Sequence, residues 1–324
     1  MRKTSVTESK PFILHSLAEG VFAAIAEDGG SAISNAGLID LGGQVLVFDT
    51  FLTPQAALDL RRAATDMLGR IPNIVINSHY HNDHIWGNQV FVPEAQIVSS
   101  ARTRDLIATA GVEEFQWYSA NSAERLETIR AQYQNTNDEH QQKQLSMWIG
   151  YYEGLVEALP QLTVCMPGIT FDKHLEIYGN KLTAELITFE GGHTASDTVL
   201  HLPQEGVIFM SDLLFVSCHP YLADGDPFQH LNALKELSRL NATCFVPGHG
   251  PIGTSDDLKL MVAYIEQCLE TAQTIVEEGH AYEEWIKELK IADHFQTWQL
   301  PQFYQTNIRF LCERLRPANG EKQA

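Results

Sequence analysis

The chain has 324 residues, of which 44% are hydrophobic and 19% charged, so it can bury a large core and is neither a disordered nor a collagen-like chain. Its formal net charge of −19 repels a phosphate backbone and an anionic lipid surface, which argues against nucleic-acid and membrane partners. The sequence shows no apolar run of membrane-spanning length and no secretory leader, so a cytoplasmic address is expected.

The five cysteines are never closer than 24 residues in sequence, so they form neither a zinc-ribbon pair nor a redox Cys-x-x-Cys motif. We expect them to be reduced and mostly buried. A small molecule is the expected partner, and the sequence is compatible with a homo-oligomer.

The first third of the chain alternates strand and helix signals. Apolar runs separated by glycine pairs predict β-hairpins between residues 20 and 50. Thr53 and Pro54 begin a predicted helix that ends at Gly69, and Ile74 to Ile76 predicts a short buried strand. Strand, helix and strand in this order are typical of an α/β layered fold.

The segment from about 102 to 160 predicts helices, because no Gly or Pro occurs between Gly111 and Gly150. Strand signals resume near 175, and helices fill most of the chain after 255. We therefore predict one α/β domain over residues 1–324. It carries a helical insertion at about 102–160, which we expect to cover the cleft with aromatic side chains, and a helical tail at about 255–316.

Four ligand-type side chains directly follow the strand at 74–76: His79, His81, Asp83 and His84. In an extended segment, side chains at i and i+2 share one face, so His79 and His81 can bind the same ion. Asp83 and His84 lie where the chain turns away and can serve a second ion. The cluster favours a metal site over isolated surface or core histidines.

Three further ligand-type residues follow strands or stand in glycine turns. They are His193 in Gly-Gly-His-Thr, Asp212 in Met-Ser-Asp, and His249 in Pro-Gly-His-Gly. Each has an ordinary structural explanation when taken singly, since a Ser-Asp pair after a strand is often a helix cap. Together with the first cluster they supply the remaining ligands.

This ordered set of motifs resembles the metallo-β-lactamase superfamily of metallohydrolases, over about residues 21–253. The resemblance implies an αββα sandwich with the metals at one edge, between the sheets. It implies that His79, His81 and His193 bind the first metal, that Asp83, His84 and His249 bind the second, and that Asp212 bridges both.

These nitrogen and oxygen ligands suit two divalent ions about 3.5–4 Å apart, with zinc expected and manganese or iron as alternatives. Zinc lowers the pKa of bound water to about 7 and so supplies hydroxide at neutral pH. Asp83 is the expected catalytic residue, because it can orient that hydroxide and accept its proton.

Supporting residues are less sharply defined by the sequence. Asp49, at a strand end, is the first candidate to hold a ligand imidazole, with a turn-capping role as its alternative; Ser196 and Asp197 follow it. Residues placed near the ligands are candidates for substrate contact, with core packing as the alternative for the aromatic ones. These candidates are Trp86, Phe215, His219 and Tyr221.

The sequence thus predicts a metal-dependent hydrolase of a small-molecule ester, thioester, lactone or amide. A phosphodiesterase, a weak β-lactamase-like activity and a metal-binding scaffold without turnover are the alternatives. The best-known β-lactamases that the chain resembles have a cysteine where this chain has Asp212, which argues against β-lactams as the main substrate.

Overall fold

Two β-sheets pack face to face at the centre of the protein. The structure is a computed structural model that describes residues 11–278, 285–286 and 288–316. The ends of the predicted domain, 1–10 and 317–324, and residues 279–284 and 287 of the predicted tail lie outside the described residues. None of the described helices combines the length and the apolar character needed to cross a lipid bilayer.

The first half of the chain forms a seven-stranded sheet with its strands in sequence order. Strands β1 to β4 pair antiparallel, whereas β4 to β7 pair parallel. Sequence reasoning found β2 to β5 and missed β1, β6 and β7. The strands are β1 (Phe12–Ala18), β2 (Val21–Ala26), β3 (Ala36–Asp40), β4 (Val45–Phe48), β5 (Ile74–Ile76), β6 (Gln96–Ser100) and β7 (Ile169–Phe171).

The second half forms a five-stranded sheet in the order β12, β11, β10, β9, β8. Its strands pair antiparallel except for β11 and β12, which are parallel. The strands are β8 (His174–Tyr178), β9 (Thr183–Phe189), β10 (Asp197–Leu202), β11 (Val207–Phe215) and β12 (Cys244–His249).

Helices cover the outer faces of both sheets. One buried cluster fills the space between the sheets, with Phe48 packed against Phe209. A second lies under α1 on the seven-stranded sheet, and a third under α6, α7 and α8 on the five-stranded sheet. The predicted α/β class and αββα sandwich are confirmed. These helices are α1 (Pro54–Leu68), α6 (Pro227–Leu237), α7 (Ser255–Glu277) and α8 (Gln302–Leu315).

Helix α1 shows how local sequence sets the element bounds. The Thr53 side chain accepts a hydrogen bond from Ala56 N at the helix start, and Pro54 occupies the first turn, where no N–H is required. Gly69 ends the helix in the left-handed conformation, with φ of 66°.

The segment between β6 and β7 is helical. Its buried cluster includes Trp86, Tyr151 and Tyr152 and is separate from the clusters on the sheets. Gly150 lies so close to the loop after β2 that a Cβ there would be 2.4 Å from Gly29 O. This glycine therefore sets how closely the segment approaches the sheet. Its helices are α3 (Ala101–Leu106), α4 (Val112–Asn135) and α5 (Glu139–Ala158), and a short helix α2 (Asn82–Ile85) precedes them.

Candidate metal centre

The seven predicted ligands lie at one edge of the two sheets. Strands β4 and β5 are parallel, so their carboxyl ends meet at this edge and place Asp49 near the segment that begins at Ser78. Helix α2 follows at once, with Asp83 and His84 in its single turn. The other three ligands come from the second sheet: His193 before β10, Asp212 within β11 and His249 at the end of β12.

The structure brings these residues together in two adjacent groups. The first contains His79, His81, His193 and Asp212, and the second contains Asp83, His84 and His249. Within each group the ligand-type atoms lie within 4.8 Å of one another. The two groups contain the residues that the sequence assigned to each ion, with Asp212 in the first group.

The first group has the spacing of a zinc site. His79 Nε2 lies 3.1 Å from His81 Nδ1, and His193 Nε2 lies 3.0 Å from the same His81 atom. Ligand nitrogens bound to a tetrahedral zinc at about 2.0–2.1 Å are separated by roughly 3.3 Å. The three imidazoles therefore need little movement to bind one ion.

Asp212 lies between the two groups. Its Oδ2 is 3.2 Å from His193 Nε2 in the first group and 3.4 Å from His249 Nε2 in the second. Its Oδ1 is 3.1 Å from His84 Nε2. One carboxylate thus faces imidazoles of both groups, which is the geometry that a bridging ligand requires.

The buried polar atoms of the centre fit divalent cations. His84 Nε2 and Asp212 Oδ1 are buried, face each other and have no hydrogen-bond partner. The His84 ring donates from Nδ1 to Asp49 Oδ2, at 2.8 Å, so its Nε2 carries a lone pair in the neutral ring. Two acceptor atoms in contact repel each other unless a proton or a metal cation lies between them, and a nitrogen and an oxygen lone pair facing each other suit a metal ion.

The charge of the centre points the same way. Burial opposes the charged form of His84, but Asp212, Asp83 and Asp49 raise its pKa well above the ordinary value. Burial also opposes ionisation of Asp212, but the surrounding histidines, His249 first, hold the pKa of that carboxyl well below its usual range. The carboxylates here attract positive charge, and a divalent ion supplies it by displacing protons.

Asp49 is the hub of a hydrogen-bond network beneath the centre. Its Oδ2 accepts hydrogen bonds from His84 Nδ1, from Ser78 Oγ at 2.7 Å and from Ser211 Oγ at 3.1 Å. Ser78 Oγ in turn lies 2.9 Å from His79 Nδ1. Asp49 therefore orients one imidazole directly and a second through a serine, in agreement with its predicted role.

The network includes residues that sequence reasoning missed. Ser78 and Ser211 each stand immediately before a predicted ligand, and this adjacency was the available signal. Asp49 and Ser211 have left-handed backbones, with φ of 61° and 46°. Such conformations are costly for residues other than glycine and persist where the surrounding structure enforces them.

Ser196 and Asp197, predicted to hold ligand imidazoles, have other partners. Ser196 Oγ lies 2.7 Å from Ser100 Oγ, next to α3. Asp197 accepts hydrogen bonds from Thr194 N and Thr194 Oγ1. Both residues hydrogen-bond to Thr194 and so stabilise the turn that carries His193.

A third missed residue is Asp224, in the loop after β11. Its Oδ2 lies 3.0 Å from His81 Nε2 and accepts a hydrogen bond from Tyr80 OH at 3.1 Å. The His81 ring thus donates from Nε2 to Asp224, which leaves Nδ1 free for a metal. The position of the loop after a ligand strand was the only sequence signal for this role.

A cavity of about 730 Å³ opens above the two groups. Five of the seven predicted ligands line it, all except His79 and His84, and so do rings from α4 and α5. Phe215 and Tyr221, two of the predicted substrate contacts, also line it. Phe215 stacks on His249, with ring centroids 5.0 Å apart and planes 16° apart.

The other two predicted substrate contacts are wrong. Trp86 is fully buried and packs edge-to-face on Phe115 and Tyr118, because the turn after α2 directs its indole under the helical segment. His219 is also fully buried, and its Nδ1 lies 3.0 Å from Tyr264 OH. Neither residue lines the cavity among the residues that the structure describes.

Comparison with known proteins now defines the class. The model of the family described as "Metallo-beta-lactamase superfamily" matches residues 29–249, more than half of the chain. The chain therefore belongs to the metallo-β-lactamase superfamily. A search of curated protein sequences finds no match.

Several solved structures share the fold. A metallo-β-lactamase from Pontibacter korlensis is 18% identical with a TM-score of 0.57, and the match covers 78% of this chain and 98% of that one. The metallo-β-lactamase FIM-1 from Pseudomonas aeruginosa, in its mono-zinc form, is 15% identical with a TM-score of 0.56 and coverage of 79% and 96%. A metallo-β-lactamase from Hirschia baltica is 14% identical with a TM-score of 0.55 and coverage of 79% and 98%.

Proposed function

We propose that the protein is a metal-dependent hydrolase of a small molecule with an ester, thioester, lactone or amide bond, and that it uses two divalent ions, with zinc preferred. One observation carries the proposal. Seven ligand-type side chains converge in two adjacent groups at the base of a cavity, with Asp212 facing both. One tetrahedral zinc uses only four of them.

The geometry supports a ligand assignment. His79, His81 and His193 would hold one ion, and Asp83, His84 and His249 the other, with Asp212 shared. Divalent ions held in this way activate water at neutral pH and polarise the bond under attack. Orientation of the ligand imidazoles and proton transfer would be carried out by side chains of the protein.

Asp83 is the proposed catalytic carboxylate. It lines the cavity, and its Oδ2 lies 3.3 Å from His249 Nε2 and 3.6 Å from His84 Nε2. From this position it can accept a proton from a water at the base of the cavity. Asp49 lies beneath the centre, and Asp224 lines the cavity but holds the His81 ring; both fix imidazole orientation through the ring nitrogens opposite the metal site.

The lining of the cavity separates the alternatives. No Lys or Arg is found among the described residues that line it. Phosphodiester and β-lactam substrates carry an anionic group that a basic side chain commonly binds, so both rank below uncharged acyl substrates.

The free state of all five cysteines supports the cytoplasm as the proposed compartment.

Metal analysis combined with a substrate panel tests the proposal. The protein is loaded with zinc, its metal content is measured, and chromogenic esters, thioesters, lactones, amides, β-lactams and phosphodiesters are assayed on the same sample. We expect about two ions per chain and turnover of an acyl substrate. A stoichiometry that stays at one contradicts the dinuclear centre, and a fully loaded protein inactive on the whole panel contradicts the hydrolase.

The variant Asp212→Ala sharpens this test, because it removes the carboxylate that faces imidazoles of both groups. We expect metal content to fall and turnover to decrease at least about 100-fold, the scale seen when a group that supports the reacting centre is lost. Asp59→Ala, on the outer helix α1, is the matched control and should retain both properties. Full metal content and full activity in Asp212→Ala would show that it does not bridge.

A further inference from the structure

The charged side chains that line the cavity, apart from the histidines, are all acidic among the described residues. Besides the carboxylates at its base, the cavity is lined by four more, which we call the acidic set: Glu27, Asp28, Glu114 and Asp224. Lys143 lines a separate, smaller depression that shares only Asp28 and a few neighbours with the cavity. A substrate that enters the cavity therefore meets negatively charged side chains, and no Lys or Arg is among the described residues that line it.

A second part of the cavity lining is aromatic. Rings from α4, α5, the loop after β11 and α8 form a continuous surface, which we call the aromatic wall. Ring centroids are 6.0 Å apart for Tyr118 and Tyr151, 5.5 Å for Trp148 and Tyr151, and 6.4 Å for Trp148 and Phe303. The wall consists of Tyr118, Trp148, Tyr151, Tyr152, Tyr221 and Phe303.

Glu114 connects the two features. It lies on α4 one turn before Tyr118, so its carboxyl faces the same cavity as the aromatic wall. Its Oε2 is buried and has no hydrogen-bond partner. The other charged side chains that line the same cavity, apart from the histidines, are carboxylates, so no Lys or Arg among these lining residues pairs with Glu114. A cation bound in the cavity would supply that partner.

The proposed metal ions do not reverse this charge balance. Two divalent ions bring four positive charges, of which Asp83 and Asp212 neutralise two. The four carboxylates of the acidic set offset the remainder when they are ionised. The formal net charge of −19 for the whole chain favours the approach of cations in addition.

We propose that this cavity selects substrates that carry an organic cation, such as a substituted ammonium group, on an apolar body. Carboxylates close to aromatic faces are a well-suited environment for such a group, because the ring faces attract positive charge and the methyl or methylene groups bury apolar surface. The inference deepens the proposed function: the cationic group would occupy the space between Glu114 and the aromatic wall while the scissile bond lies over the metal centre.

Binding of substrate-sized probes tests the selection without requiring turnover. Phenyltrimethylammonium, its uncharged tert-butyl isostere and phenylacetate are titrated into the zinc-loaded protein, and Kd is measured by ligand-observed NMR. We expect the cation to bind about tenfold more tightly than either competitor, as cation–π and charge contacts of this kind allow. Equal binding of the cation and the carboxylate overturns the proposal.

Variants identify the groups responsible. Glu114→Gln and Trp148→Leu should each reduce the preference for the cation over its isostere by about threefold or more, one by removing charge and the other by removing a ring face. Glu113→Gln, an exposed neighbour on the same helix, is the control and should keep the preference. A preference that survives both cavity variants overturns the assignment of the site.

Hydrolysis is measured separately, so that the two proposals can fail independently. Butyrate esters of choline and of 3,3-dimethylbutanol share the acyl group and differ in charge. Hydrolysis of both esters with equal kcat/KM is consistent with the proposed hydrolase and overturns the proposed preference for cationic substrates. Tight binding of the cationic probe to a fully loaded protein that hydrolyses no member of the acyl panel supports the selection and contradicts the hydrolase.

Discussion

At the residue scale, the shared carboxylate depends on a glycine beside it. A Cβ on Gly248 would lie 1.8 Å from Asp212 Oδ1 and 2.8 Å from the Ser211 carbonyl carbon. No side chain fits at this distance, so the carboxylate holds its position only because residue 248 has none. Gly248 and Asp49 thus both support the position of a ligand. Asp49 does so by a hydrogen bond to His84, and Gly248 by leaving space for the Asp212 carboxylate.

Gly248→Ala should therefore displace Asp212 and lower metal content while the fold is retained. After dialysis against a weak chelator, we expect the variant to retain less than half of the wild-type metal content, measured by elemental analysis. Its far-UV circular dichroism should be unchanged. Substitution of a residue that supports a metal ligand typically lowers metal affinity 10–100-fold. Gly168→Ala is the control, since a Cβ there has no neighbour within 4 Å. Wild-type metal affinity in Gly248→Ala would contradict this role.

The seven ligand candidates that the sequence singled out come together in the structure, whereas most contacts of the supporting residues were not predicted. The ligands follow strands in short motifs, so their spacing carries the information. The partner of a serine hydroxyl such as Ser211, or of Asp224, is set by a contact across more than 100 residues, which spacing does not encode. The predicted substrate contacts of Trp86 and His219 were wrong for a related reason. A residue that is close to a ligand in sequence can still direct its ring away from the cavity and into the core.

At the scale of elements, the fit of α5 against the loop after β2 holds the aromatic wall in place. Asn82 Nδ2 donates to Tyr151 OH at 3.1 Å and so links α2, between the ligand residues, to the same helix. Gly150 allows the close approach of α5, and Gly154 lies on the same side, with its Cβ position 3.2 Å from Ser31 Cβ.

Two glycine substitutions in helices should have opposite effects on stability. Helix propensity alone predicts that Gly→Ala stabilises by up to about 1 kcal/mol. This gain is expected at Gly111, where φ is −64° and a Cβ makes only ordinary contacts of 3.6 Å or more. At Gly150 the clash with Gly29 should outweigh it and destabilise by about 1–3 kcal/mol. Urea denaturation gives both free energies, and stabilisation by Gly150→Ala would contradict the proposed close contact.

The elements themselves were largely predictable where their pattern was long. Helices α1 and α7 and the strands β9 to β12 follow from apolar periodicity and from turn residues. Strand β7 has only three residues, two of them exposed, so it forms because β6 offers a parallel edge and its sequence alone gives no sign of it. The bounds of such short strands depend on tertiary pairing.

For the whole molecule, a buried polar network joins the loop after β11 to the helical tail. Tyr264 OH lies 3.0 Å from His219 Nδ1, and Asn307 Nδ2 donates to Pro220 O at 2.8 Å. Burial lowers the pKa of His219 to about 4, so the ring is neutral in the folded protein. Residues of α7 and α8 thus hold the loop that carries Tyr221 and Asp224 into the cavity.

This network predicts a loss of stability in mild acid. Between pH 6.5 and pH 4 the unfolded chain protonates His219 and the folded chain does not, so the free energy of unfolding falls as the pH decreases through this window. At pH 5 the contribution of one such histidine is about 2 kcal/mol. Urea denaturation at pH 7 and pH 5 should show a smaller decrease for His219→Gln than for the wild type.

His230 provides an internal reference for this measurement. It is buried, and burial lowers its pKa to about 4 as well, but it remains in both proteins. Acid effects on the metal centre are likewise common to both. An identical decrease in the two proteins would show that His219 does not contribute to the acid sensitivity.

The origin of the ligands has a mechanical consequence for the complete protein. His79, His81, Asp83 and His84 belong to the seven-stranded half, whereas His193, Asp212 and His249 belong to the five-stranded half. Each of the two groups takes ligands from both halves, so neither half carries a complete set. A bound ion would therefore act as a cross-link across the sandwich and resist separation of its halves. The metal content that remains after unbound metal is washed away would then report the fraction of molecules in which the two halves are correctly packed.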